Sequence, residues 1–291
     1  MARVIIFGAS GFIGSSLLNY LLKKGFSVEG YSSTSCNLLD LARVKEVMQN
    51  YESDEEPLKI IFGAVIPRQQ EDSLETMILN IKMMHHALSA IPQGKLCQFI
   101  FLSSSDVYGL PVASLPLTEE TETIPNTYYG LAKVACEKML LSSLFPSVKP
   151  VTIFRLPGIY GPGDQAKSVV GGFIKKIQRQ ENIILTNEGK TRRDYVYIQD
   201  LCTLTEHLLL NPYHGIINVA TGIAHTMEEI AKSVAEEMGE RVNLQCQPGS
   251  GVRSHDLVFN TQKIKDLCPH FQFTLLPRGI RWYRESAISS T

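Results

Sequence analysis

The sequence predicts an α/β protein, a doubly wound parallel sheet with a smaller C-terminal lobe. Three observations carry this. Apolar β-type runs alternate with stretches of helical periodicity from Val4 to Arg155. The first run, Val4-Ile5-Ile6-Phe7, is apolar throughout, as in a strand covered on both faces. It passes directly into a glycine-rich turn, Gly8–Gly14, and then into a helical pattern.

The elements follow in order. Leu17, Leu18, Leu21 and Leu22 mark the first helix, which ends near Gly25. Phe26–Tyr31 reads as the second strand, Leu41–Tyr51 as a helix and Ile60–Phe62 as the third strand. Leu74–Ala90 is a helix with Met77, Ile81, Met84 and Leu88 on one stripe. Gln98–Ser103 is the fourth strand, Lys133–Leu144 a helix and Val151–Arg155 the fifth strand. Strands and helices at this spacing connect by right-handed crossovers and lie parallel. After Pro157 the rhythm loosens. Helices are expected at Val169–Gln180, Gln199–Leu210 and Met227–Met238, and strands at Ile183–Leu185 and Ile216–Ala220. Residues 1–157 form the sheet domain, with 199–221 returning to it, and 158–291 make most of the smaller lobe.

Composition narrows the function. The chain has 291 residues, of which 44% are hydrophobic and 20% charged, enough for a large core without staples. The formal net charge is -1 and the basic residues are dispersed, which argues against a nucleic-acid surface. No apolar run is long enough to span a bilayer, and Val4–Phe7 is too short for a signal-peptide core. The six cysteines form no C-x-x-C pair, so we expect reduced, mostly buried thiols and a cytoplasmic protein. The histidines show no metal-ligand spacing, and no metal is expected.

The glycine loop points to a dinucleotide. Gly8 permits the tight turn, Gly11 lets the backbone approach a pyrophosphate, and Gly14 lets the helix pack close to the strand. Phe12 and Ile13 then open a helix whose N-terminus attracts phosphate. Further on, Tyr129 and Lys133 stand at i and i+4, on one face of a helix. A tyrosine that exchanges a proton near neutral pH needs help, because its free pKa is about 10. A neighbouring ammonium gives that help.

Taken together, these segments resemble one family. Gly8-Ala9-Ser10-Gly11-Phe12-Ile13-Gly14 has its G-x-x-G-x-x-G spacing. Ser103-Ser104-Ser105-Asp106-Val107-Tyr108-Gly109 resembles its S-S-x-x-V-Y-G segment, and Tyr129-Gly130-Leu131-Ala132-Lys133 its Y-x-x-x-K. Arg155–Gly163 is similar to R-x-x-x-x-Y-G-P-G, and Gly189–Asp200 to G-x-x-x-R-D-Y-V-x-V-x-D. The family is the extended short-chain dehydrogenase/reductases, in the branch of NAD(P)-dependent nucleotide-sugar epimerases and dehydratases. The resemblance covers Arg3 to about Trp282.

The resemblance implies a Rossmann fold, an enzyme and a set of roles. Tyr129 exchanges the proton, Ser104 holds the sugar oxygen, and Lys133 tunes Tyr129 and holds the nicotinamide ribose. Ser105 lies beside the sugar, Pro157 passes near the nicotinamide, and Arg193 and Arg253 hold the nucleotide diphosphate. Asp40 lies near the adenine; its other reading is a helix N-cap. The family's ribose acid falls near Ser32, which carries no charge, and Ser32 and Ser33 make a hydroxyl loop there. That favours NADP, with NAD the alternative, although no arginine stands in the loop to clamp a 2′-phosphate. The family's 4,6-dehydratases carry an acid where this chain has Ser105, which disfavours elimination. Two reactions then share the catalytic set: a 4-ketoreductase acting on a nucleoside-diphosphate 4-keto sugar, which the missing ribose acid favours, and a 4-epimerase with retained NAD. A non-catalytic NADP(H)-binding regulator is the alternative from another class. The family also implies a homodimer, through Leu74–Ala90 and Lys133–Leu144.

Overall fold

The structure is a computed structural model that describes residues 2–53, 55–92, 94–112, 114–142, 150–249 and 256–288. In chain order the strands are β1 (Arg3–Phe7), β2 (Val28–Tyr31), β3 (Leu58–Phe62), β4 (Leu96–Ser104), β5 (Val151–Leu156), β6 (Gly158–Tyr160), β7 (Ile183–Leu185), β8 (Arg192–Arg193), β9 (Tyr195–Tyr197), β10 (Gly215–Asn218), β11 (His225–Thr226) and β12 (Leu244–Cys246). The helices are α1 (Phe12–Lys23), α2 (Leu41–Gln49), α3 (Leu74–Ala90), α4 (Tyr128–Leu141), α5 (Val169–Gln178), α6 (Ile198–Leu210), α7 (Met227–Met238), α8 (Gln262–Leu267) and α9 (Leu276–Ile288).

The chain divides into two compact units. The first takes Met1–Gly109, Glu122–Arg155 and Cys202–Ile217. Its six-stranded sheet has the order β10-β5-β4-β3-β1-β2. β1 pairs in parallel with β2 on one side and β3 on the other, and β3 pairs in parallel with β4. The chain thus leaves β1 in one direction and returns on its far side. This reversal opens a crevice at the carboxyl end of β1, where open α/β sheets bind ligands. Phe7, Phe62, Phe99 and Phe101 are buried in the core, with Phe62 about 6 Å from each of the other three. Burying each such side chain contributes roughly 1.5–3 kcal/mol. Gln98 Nε2 donates to the Leu208 carbonyl at 2.6 Å, which ties α6 to the sheet.

The second unit takes Leu110–Thr121, Leu156–Leu201 and Asn218–Thr291. It is built on three two-stranded ladders, β6-β9, β7-β12 and β8-β11. The segment 110–121 belongs here because Leu117 is clasped by the backbone of Val258 and Asn260 at 2.7 and 2.8 Å.

Several elements depart from the sequence reading. α4 begins at Tyr128 rather than Lys133, because the Thr127 side chain accepts the Gly130 amide at 3.0 Å and caps the helix early. The short strands β6, β8, β9, β11 and β12 were not expected; two or three residues carry no periodicity. All six cysteines are free thiols, but Cys246 is exposed on β12 rather than buried. No helix among the described residues is long and apolar enough to cross a membrane.

Candidate active site

The glycine loop joins β1 to α1 as a cradle for an anion. Gly8 has φ +89°, and a Cβ there would lie 2.6 Å from the Ala64 nitrogen. A Cβ on Gly14 would strike the Gly8 carbonyl oxygen. Gly11 is the N-cap of α1 and no side chain caps that end. The Phe12 and Ile13 amides open the helix there and suit a phosphate. The cradle therefore fits a dinucleotide pyrophosphate.

The end of β2 fits the other part of such a cofactor. Glu29 is engaged elsewhere, accepting from the Tyr51 hydroxyl at 2.7 Å and from Arg3 at 3.3 Å. Ser32 bonds Thr34 at 2.8 Å between hydroxyls, and its amide donates to the Ser35 hydroxyl at 2.9 Å. Ser33 is exposed. Asp40 is the N-cap of α2, accepting the Arg43 amide at 3.1 Å. The sequence reading found no arginine for this loop, and the structure supplies one. Arg43 Nε and Nη2 donate to the Ser35 carbonyl at 3.3 and 3.1 Å. It was missed because it stands on the following helix, outside the motif.

Ser104, Tyr129 and Lys133, the trio expected to be catalytic, all lie in the first unit. Ser104 closes β4, and its hydroxyl accepts the Asp106 amide at 3.1 Å. Tyr128, the exposed neighbour of Tyr129, points to solvent. Burial and the Asp106 carboxylate push the Tyr129 phenol above its ordinary range, against the pull of Ser104 and Arg68. Lys133 is 5% exposed; its Nζ donates to the Leu102 carbonyl at 2.7 Å and stands 5.6 Å from the Tyr129 ring centre. Burial lowers this amine to about 8, although Cys136, Glu137 and Asp106 favour its charge. Ser105 is 6% exposed, in the turn that follows β4.

The second unit carries Pro157 and Arg193. Pro157 is half-buried between β5 and β6. Arg193 lies on β8, paired with His225 of β11, and its Nη1 donates to the Arg192 carbonyl at 2.9 Å. The acids of the same motif are structural. Asp194 is 1% exposed and accepts from the Thr221 amide, the Thr221 hydroxyl and the Gly222 amide at 3.1, 2.8 and 2.8 Å. Asp200 accepts the Thr274 amide and hydroxyl at 2.7 and 2.8 Å. A cavity of about 210 Å³ opens among Tyr195, His225, Lys265, Phe271 and Phe273, and none of the expected site residues lines it. Arg253 lies outside the described residues.

The model of the NAD dependent epimerase/dehydratase family matches residues 4–220. The chain belongs to this family. It is 26% identical over 267 residues to a dTDP-D-glucose 4,6-dehydratase of Dictyostelium discoideum, with 80% of this chain and 61% of that protein covered. The chain thus spans about three fifths of that relative's length. Among solved structures it is similar to Thermus thermophilus UDP-glucose 4-epimerase in complex with NAD, at 22% identity and TM-score 0.85, covering 99% and 100% of the two chains. It is equally similar to RMD from Pseudomonas aeruginosa complexed with NADPH, at 20% identity and TM-score 0.85, covering 100% of both. These two likenesses show the fold.

This member of the epimerase/dehydratase family braces the segments that carry Ser104, Tyr129 and Lys133 with a buried ion pair that the sequence reading missed. Arg155 Nη2 lies 2.8 Å from Glu137 Oε2, with both side chains at most 5% exposed. Ser103 donates to the same carboxylate at 2.5 Å, and Arg155 Nη1 donates to the Tyr108 hydroxyl at 3.1 Å. The network joins β4, the turn after it, α4 and β5. The signal was present: Glu137 stands one turn beyond Lys133, and Arg155 is a charge inside the apolar run Val151–Leu156. Asn80 was also missed. Buried on α3, it exchanges two hydrogen bonds with the Ile66 backbone at 2.8 and 3.1 Å. Arg155→Met strands a buried carboxylate and should cost about 3–5 kcal/mol in urea unfolding, whereas adding Glu137→Met should recover part of that loss. A double variant no more stable than the single one would show that the stranded charge is not the cause.

Proposed function

We propose that this chain is an NADP-dependent 4-ketoreductase acting on a nucleoside-diphosphate 4-keto sugar. The observation that carries the cofactor half is Arg43, laid on the Ser35 carbonyl beside the uncharged hydroxyl loop. A guanidinium and clustered hydroxyls suit a ribose 2′-phosphate, and no acid stands at Ser32 to repel one. When bound, the dinucleotide supplies the hydride.

The chain's own residues then do the rest. Ser104 donates to the sugar carbonyl oxygen and orients it. Tyr129 donates the proton to that oxygen as the alcohol forms. A phenol held above its ordinary pKa is protonated at neutral pH, which suits reduction of a ketone. Lys133, held to the Leu102 carbonyl, keeps donors for the nicotinamide ribose, and its charge stabilises the phenolate left after the proton has gone. Arg193 pairs with the diphosphate by its planar fork. The same three catalytic residues serve a 4-epimerase, and cofactor retention separates the two readings.

The chain also suits a homodimer. α3 and α4 pack against each other, and they leave Leu74, Ile78 and Leu131 between 43% and 53% exposed. Pairing two copies through these helices would cover that surface.

Four measurements test these proposals. Arg43→Met should weaken NADPH binding about tenfold or more while changing NADH binding by less than about twofold; equal losses for both would remove Arg43 from the 2′-phosphate site. Turnover should be assayed with NADPH and uridine, thymidine and guanosine diphosphate 4-keto sugars. Tyr129→Phe should lower it by roughly 10²–10⁴-fold with NADPH binding kept. Release of tightly held NAD on denaturation, with interconversion of nucleotide sugars and no consumption of NADPH, would establish the epimerase instead. Finally, Ile78→Glu should halve the mass seen by light scattering, and a wild-type monomer would refute the dimer.

A further inference from the structure

The cavity of about 210 Å³ lies wholly within the second unit, and its walls are fixed from behind. Thr221 and Thr274 line it, and their hydroxyls donate to the carboxylates of Asp194 and Asp200 at 2.8 Å each. The body of the cavity is apolar and aromatic. Tyr195, Ile264 and Leu276 are buried around it, and the rings of Phe271 and Phe273 meet edge to face with centres 4.9 Å apart. Ile223 and Leu275 also line it, yet they are 46% and 61% exposed, so the apolar surface continues to the mouth.

The charged residues that line the cavity have one sign. They are His225 and Lys265, and no carboxylate is among the described lining residues. His225 Nδ1 stands 4.0 Å from Glu229 Oε2, whereas Lys265 has no ion-pair partner among the described residues. Lys265 follows Thr261 by one turn of α8, and its amide donates to the Thr261 carbonyl at 3.2 Å. The two side chains therefore share the face that meets the cavity. Thr261 is only 9% exposed, and its hydroxyl has no hydrogen-bond partner among the described residues. A buried hydroxyl is costly unless something supplies a partner.

We propose that this cavity binds a small aromatic carboxylate, with its ring among Tyr195, Phe271 and Phe273 and its carboxylate on the Lys265 ammonium and the Thr261 hydroxyl. The proposal goes beyond the ketoreductase reading and does not depend on it. Aromatic walls favour a further ring in offset or edge-to-face contact. An ammonium and a hydroxyl one turn apart give a carboxylate two donors. The negative charges behind the wall are already met, because Asp194 accepts three hydrogen bonds and Asp200 two. Those same bonds hold Thr221 and Thr274 in place, so little ordering is left for binding to impose.

The test uses the full chain and two probes of one shape, naphthoate and its neutral amide, naphthamide. Titration calorimetry should show saturable naphthoate binding with Kd below about 1 mM, and naphthamide binding about three- to tenfold weaker. Lys265→Met should abolish that preference while changing naphthamide binding by less than about twofold. Thr261→Val keeps the shape and should weaken naphthoate binding about threefold. Saturating uridine diphosphate and NADPH should leave the naphthoate affinity unchanged. No saturable naphthoate binding below about 1 mM would overturn the proposal, as would equal affinities for the two probes. A preference that survives Lys265→Met would also overturn it, and so would displacement of naphthoate by either nucleotide. A chain that reduces no nucleotide sugar still answers these titrations, and an empty cavity leaves the ketoreductase reading standing.

Discussion

The buried ion pair of Glu137 and Arg155 is the constraint on which the arrangement of Ser104, Tyr129 and Lys133 depends. Its members lie on α4 and β5, and its hydrogen bonds reach β4 and the turn beyond it. Such a pair adds little net stability, because desolvating two charges offsets most of their attraction. Its effect is on geometry. A charged fork and a carboxylate buried together accept few relative positions, so α4 is held in one register against the sheet. Tyr129 and Lys133 stand on that helix, and Ser104 stands one residue after Ser103, which donates to the same carboxylate. The trio inherits its spacing from the pair beneath it.

A second constraint acts at the same carboxyl edge of the sheet, through absence of side chains. Gly8 and Gly14 leave no room for a Cβ, so α1 starts hard against the end of β1. Gly30 serves the same close packing, since a Cβ there would lie 2.6 Å from that of Ala9. The helix N-terminus is thereby fixed at the crevice created by the reversal of strand order. The loop after β2 is polar and uncharged from Ser32 to Ser35, and Arg43 closes on it from α2. The glycine cradle and the hydroxyl loop are therefore set by different forces, one steric and one electrostatic.

In the second unit the charged motif residues divide their work. Asp194 and Asp200 are buried and fully occupied with hydroxyls and amides of distant segments. Unpaired, either carboxylate would be costly to bury; with those donors it fixes the loops at Thr221 and Thr274. Arg193 stands directly before Asp194, on a two-residue strand paired with His225.

The sequence by itself determined the alternation of strands and helices, the glycine cradle and the spacing of Tyr129 and Lys133. Each of these rests on local periodicity or on a residue type that no other can replace. The composition of Val4–Phe7 alone implied a strand covered on both faces, and its core residues are fully buried. Tertiary structure decided what depends on meetings between distant segments. Arg43 reaches the Ser35 carbonyl only across the turn that Asp40 caps, and Arg68 meets Asp106 only because β3 and β4 are neighbours. The start of α4 turned on one capping hydroxyl, Thr127, and the fate of Asp194 on a loop that comes to it from residue 221. Charges and hydroxyls carry no period along the chain. Their roles depend on which partners the packed backbone brings within hydrogen-bonding distance, and that is a property of the fold rather than of the segment.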